Sequence, residues 1–231
     1  MYKNLTYLIK HSAVILVILF FVRICFAIAF VPMSIISNNL AVFPHLLFNV
    51  FRFDLQVVCY VLLLPTVLTF IFAAIRKSWT ECVLSRFRRL YFSIISTLLL
   101  AISGIDIGFY DNFNSHINIT FFDFFNEGPM GLIQTIWEEY HCVYEAIAFL
   151  LILSPVLLLI RRIELSKSSS RHPLHSTSRQ RLSRFEITKL SATILLYLTF
   201  LVIGLRGSVW RFPLQLEDTF VSHQHLLHAL A

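Results

Sequence analysis

Charge is what this chain has least of. Only 14% of its 231 residues are Asp, Glu, Lys or Arg, whereas 57% are hydrophobic, and a soluble globule of this size could not cover so much apolar surface. The motifs that carry most enzymatic chemistry are missing as well: there is no Gly-rich phosphate loop, no nucleophile elbow and no H-E-x-x-H. The four cysteines, Cys25, Cys59, Cys82 and Cys142, show no CxxC spacing, which argues against a disulfide framework or a zinc site. His223, His225 and His228 make an H-x-H-x-x-H pattern, but no carboxylate or cysteine joins them at ligand spacing. Neither an internal repeat nor the inverted symmetry of transporters is visible. On residues alone the chain holds no catalytic constellation, no metal site and no cofactor site.

What it does hold is five apolar stretches: residues 13–31, 55–75, 90–109, 141–160 and 187–205. At 1.5 Å rise per residue, about 20 residues cover the roughly 30 Å hydrocarbon core of a bilayer. Backbone groups have no water partners there, so each stretch is expected to be a helix, and the chain an all-α, multi-pass membrane protein. The fifth stretch is the weakest, because Lys189 lies in its first turn; a snorkelling lysine is compatible with a span. Pro65 and Pro155 fall inside the second and fourth stretches and are expected to kink them. The segment from Pro32 to Phe53 reads as an outer loop with an interfacial or re-entrant helix around residues 40–51. Residues 166–183 read as a Ser-rich linker.

Charge in the loops gives the orientation. The loop from Arg76 to Arg89 carries five basic residues against Glu81, and that from Arg161 to Lys189 carries eight against Glu164 and Glu186. Between them, Tyr110 to Tyr140 has five acidic residues and no Lys or Arg. Short basic loops stay in the cytoplasm, so the N-terminus is expected inside and the C-terminus outside. The net charge of +6 is accounted for by insertion and contact with anionic lipid, so no nucleic-acid partner is expected. Asn118-Ile119-Thr120 is then an outward glycosylation sequon, meaningful in a eukaryotic secretory host.

Ionisable residues within spans are expensive, and so are the place to look for function. Here they are Arg23 in the first span, Asp106 in the third, and His141 and Glu145 in the fourth, with Arg52, Asp54 and Arg206 at span ends. Given the alternating direction of the spans, Asp54, Asp106, Glu145 and Arg206 fall near the outer boundary, and Arg23 lies about 12 Å from the outer end of its helix. Two readings stay open. The arginines neutralise the carboxylates and fix the helices in one arrangement, or they present guanidinium groups to the phosphate of a lipid headgroup.

Several strings occur together in order: Arg52-Phe53-Asp54-Leu55 entering a span with a mid-helix Pro65, then Ile105-Asp106-Ile107-Gly108-Phe109-Tyr110 at a span exit. Leu205-Arg206-Gly207 follows, then Phe212-Pro213-Leu214 and the tail Val221-Ser222-His223. This pattern resembles the membrane part of the lipoteichoic acid synthase family, phosphoglycerol transferases with a sulfatase-like outer domain. The resemblance implies five spans, a bacterial plasma-membrane location and a phosphatidylglycerol-type lipid partner. It also implies an outer domain with a Thr nucleophile and a divalent metal, none of which lies in this sequence. Residues 206–231 would be the hinge toward that domain. On this expectation the chain is an anchor, truncated or paired with a separately encoded sulfatase-like domain, and inactive alone. His116 and His228 depart from the pattern, where a basic residue and an Asn are usual. The alternatives are a small transporter or channel subunit, or a scaffold acting through its basic Ser-rich loop.

Overall fold

A computed structural model of the chain describes residues 2–31, 43–75, 78–117, 142–165 and 184–206. Among the described residues every regular element is a helix: α1 (Tyr2–Phe30), α2 (Phe43–Ile75), α3 (Ser78–Phe113), α4 (Cys142–Leu165) and α5 (Arg184–Arg206). Four contain stretches long and apolar enough to cross a membrane, Asn4–Phe30, Phe48–Ile75, Trp79–Asp111 and Val143–Leu165, while Ser191–Arg206 is a shorter apolar helix. The described part of the chain is therefore all-helical and suited to multiple membrane crossings.

The helices start earlier than hydrophobicity alone suggests. The interfacial helix expected near residues 40–51 is instead the first part of α2, continuous with the second span. Pro44 does not break it, because the first helical turn has no intrahelical use for the missing N–H. Likewise, the basic segment taken as a loop up to Arg89 is helical from Ser78, so that Glu81, Arg86, Arg88 and Arg89 ride on α3. Helix α1 extends back to Tyr2. The Ser-rich linker, the Asn118 sequon, most of the acidic outer loop, His141 and the C-terminal histidines lie outside the described residues.

Helix α1 packs against α2, α3 and α4; α2 also meets α3 and α5, and α3 meets α4. Arg23 of α1 meets Asp54 of α2, and Phe72 of α2 meets Trp79 of α3, so successive helices run in opposite directions. One end of the bundle thus gathers the starts of α1 and α3 with the finish of α4; the other gathers the finishes of α1, α3 and α5 with the early part of α2. Buried positions follow helical ridges. On α3, from Thr80 to Leu100, they fall at every fourth residue: Thr80, Leu84, Arg88, Phe92, Ser96 and Leu100. On α2 the buried face runs through Asp54, Val58, Leu62, Pro65 and Thr69. The outward face is apolar, with Val17, Ile28, Leu98, Leu151 and Leu196 among its exposed side chains, as a lipid solvent allows.

Both internal prolines are accommodated locally. Pro65 cannot donate to the carbonyl of Val61, and that oxygen accepts a hydrogen bond from Tyr91 Oη on α3 at 2.9 Å. Pro155 leaves the carbonyl of Leu151 without its usual donor, and Ser154 Oγ donates to it at 3.3 Å. At the α2–α5 seam Thr66 and Tyr197 share a buried hydroxyl hydrogen bond of 2.7 Å. Gly204 allows the closest approach there, since a side-chain carbon at that position would collide with Cys59 Sγ.

Candidate functional site: two polar layers of one bundle

The ridge positions Asp54 and Arg23 bring the first two helices together through charge. Arg23 Nε donates to both carboxylate oxygens of Asp54 at 3.1 Å, and Nη2 donates to Oδ1 at 2.8 Å. Asp54 is buried, with 8% of its side chain exposed, whereas 49% of the Arg23 side chain is exposed. Nη1 makes no hydrogen bond among the described residues. The pair therefore has a closed side facing the α1–α2 seam and an open side with a spare guanidinium edge.

Arg52 and Arg206 are brought to the same end of the bundle. Arg52 precedes Asp54 by two residues, and its guanidinium lies 5.9 Å from the Phe48 ring centre. The finish of α5 is drawn toward the same part of α2 by Gln56 Nε2, which donates to the carbonyl of Leu205 at 3.3 Å; Arg206 is the next residue and is exposed.

Asp106 goes elsewhere. After α3 the chain turns back at Asn114, which takes φ 51°, and the Asn114 N–H donates to the carbonyl of Tyr110 at 2.8 Å. This left-handed cap suits Asn. It returns His116 to Asp106: Nδ1 lies 2.8 Å from Oδ2, and the Ile117 N–H donates to Oδ1 at 2.8 Å. The His116 ring stacks on Phe26, 5.0 Å between centres, and Tyr110 packs edge-on to Phe26. A cleft of about 300 Å³ lies beside these rings, lined also by Phe30 and Ser115. Glu145 on α4 is exposed, and no ion pair joins it among the described residues. Of the six expected residues, Arg23 and Asp54 thus form a pair, and Asp106 is held instead by His116.

A second polar layer, at the opposite end, is the one that sequence reading missed. Arg88 has no exposed surface; its Nε donates to Glu164 Oε1 at 2.8 Å and its Nη2 to Oε2 at 3.1 Å. Ser85 Oγ donates to the same Oε2 at 2.8 Å, and Asn4 Nδ2 donates to Glu81 Oε1 at 3.0 Å. Arg88 also lies over the Tyr7 ring, 5.4 Å from its centre. His11 completes the layer. The carbonyl of Tyr7, 2.7 Å from Nδ1, can only accept, so Nδ1 carries the proton. His11 Nε2 has no hydrogen-bond partner and sits 3.8 Å from Glu164 Oε1, with the ring stacked on Phe92 at 4.3 Å. The signal that would have found the layer is the four-residue ridge of α3, which places Arg88 in line with Leu84 and Phe92.

Among the described residues no group of three or more His, Cys, Asp or Glu is arranged to hold a metal. No protein-family model, curated protein or solved structure matches this chain.

Proposed function

We propose that this chain is the membrane-embedded part of a lipoteichoic acid synthase-like phosphoglycerol transferase, and that its Arg23 end receives the phosphate of a phospholipid donor at the outer leaflet of a bacterial plasma membrane. In this reading α5 is a fifth crossing, tilted or set in locally thinned lipid because its apolar part is short. The N-terminus is cytoplasmic and residue 206 external. The exposed basic side chains around the Arg88 end, Lys10, Arg86, Arg161 and Arg162, support that orientation. A sulfatase-like domain, on the same polypeptide or separately encoded, supplies the nucleophile and the divalent metal; the helical part positions the lipid.

The observation that carries the lipid role is the geometry of Arg23. Asp54 fixes one edge of the guanidinium while half the side chain stays exposed, so an Nη1 donor and the outer Nη2 proton remain for a phosphate oxygen. Arg52 and Arg206 add positive charge nearby. The same pair also ties α1 to α2, so a purely architectural role is the second reading, and three hydrogen bonds to a buried carboxylate favour it. The two separate experimentally. Arg23→Gln, Arg52→Gln and Arg206→Gln are expected each to weaken phosphatidylglycerol binding in nanodiscs severalfold while the protein stays folded. Unchanged binding in all three would leave only the architectural role.

A further inference from the structure

We infer that the Arg88 end carries a second lipid surface, a collar of five cations that docks anionic lipid headgroups of the leaflet on that side: Lys10, Arg86, Arg89, Arg161 and Arg162. It is independent of the Arg23 reading, because it uses other residues at the other end of the bundle.

The five stand at one level. Lys10 adjoins His11, Arg86 and Arg89 flank Arg88, and Arg161 and Arg162 lie within three residues of Glu164, so each is within about one helical turn of the buried layer. Lys10, Arg86, Arg161 and Arg162 are exposed and Arg89 is half-buried. Of their acidic counterparts, Glu164 is buried and Glu81 is half-buried. Glu164 is committed to Arg88 and Ser85, and Glu81 receives Asn4. No carboxylate among the described residues forms an ion pair with any of the five. Among the described residues the fully exposed charges of this layer are therefore cationic, while the buried Arg88–Glu164 pair is neutralised.

The neighbours of the collar identify its ligand as a lipid surface rather than a soluble anion. Ile9, Val83, Leu90, Leu158 and Leu159 are exposed beside the same cations. Such side chains need hydrocarbon, so the cations sit at the boundary where headgroup phosphates lie. Arginine forks suit those oxygens.

Native mass spectrometry of the full chain released from mixed phosphatidylcholine and phosphatidylglycerol nanodiscs tests this. The wild type is expected to retain phosphatidylglycerol preferentially, and raised ionic strength is expected to reduce the preference. Replacing Arg161 and Arg162 by Gln should lower it at least about fivefold, and replacing all five should abolish it, since each cation near a charged surface contributes roughly a fivefold factor. Arg23→Gln should leave this part of the lipid count in place. Should the five-fold variant not fold, the double variant and the salt dependence of the wild type still decide. Retained preference in the double variant, or no response to salt, would overturn the collar. Displacement of the lipid by inorganic phosphate beyond that caused by sodium chloride at the same ionic strength would overturn it in favour of a soluble-anion site.

Discussion

At one end of the bundle a guanidinium with no exposed surface, Arg88, is met by the buried carboxylate of Glu164, with Asn4, Ser85 and His11 closing around them. At the other end the guanidinium of Arg23 grips a buried Asp54 but leaves half of its side chain outside. The same two chemical groups are used in opposite ways. A charge pair sealed on all sides can hold three helices in register but presents no accessible donor to an outside ligand. A pair open on one side gives up some rigidity and keeps a binding edge. The contrast gives the Arg88–Glu164 core an architectural part and leaves Arg23 as the guanidinium with an accessible edge, on which the proposed lipid contact rests.

The largest effect is expected from breaking the sealed pair. Glu164→Ala leaves Arg88 buried without its carboxylate and should destabilise the bundle by about 3–5 kcal/mol, read as a fall in detergent-resistant thermal stability. Replacing both partners by apolar residues, Arg88→Met with Glu164→Leu, should recover most of that loss. If Glu164→Ala unfolds no sooner than wild type, the layer is not sealed as described.

Next comes the seam that brings α5 to the Arg23 end. Gly204→Ala places a methyl group against Cys59 Sγ and should cost about 1–3 kcal/mol through overpacking. Cys59→Ala in the same chain should relieve part of it, which a double-mutant cycle would measure. Additive losses would mean that the two helices do not meet there.

Opening the exposed pair should cost less than opening the buried one. Arg23→Ala is expected to lower stability by about 1–2 kcal/mol, because half of the side chain is already exposed, yet leave Asp54 without a counter-charge. If this loss equals that of Glu164→Ala, the distinction between the two ends fails.

The smallest effect probes the proline site between them. Tyr91→Phe removes the donor that serves the Val61 carbonyl, and hydrogen bonds between membrane helices contribute about 0.6 kcal/mol on average and about 1.7 at most. Pairing it with Pro65→Ala, which restores the backbone N–H, should make the tyrosine loss vanish.

Much of the fold is legible in the sequence because bilayer thickness sets the length of an apolar run, and lipid leaves the backbone little choice but a helix. The Arg23–Asp54 pair is legible too, since charge within an apolar run stands out. Arg88 is not, because it sits among Arg86 and Arg89 in a basic segment whose composition is that of a solvated loop. Only its place on the ridge with Leu84, Phe92 and Leu100 distinguishes it, and that ridge requires knowing that α3 begins at Ser78. Asp106 misled in a different way. Its partner is His116 ten residues later, delivered by a left-handed turn at Asn114, whereas charge and span direction alone grouped it with Arg23.

In the proposed orientation the two ends face opposite sides of the membrane, with the Arg88 end inside. Thiol labelling in intact cells measures this directly, using chains that keep a single cysteine: native Cys82, exposed on the first turns of α3, or a cysteine introduced by Ser115→Cys at the other end. A membrane-impermeant maleimide is expected to label the Ser115→Cys chain in intact cells and to reach Cys82 only after the membrane is permeabilised. Labelling of Cys82 in intact cells, with Ser115→Cys protected, would contradict it.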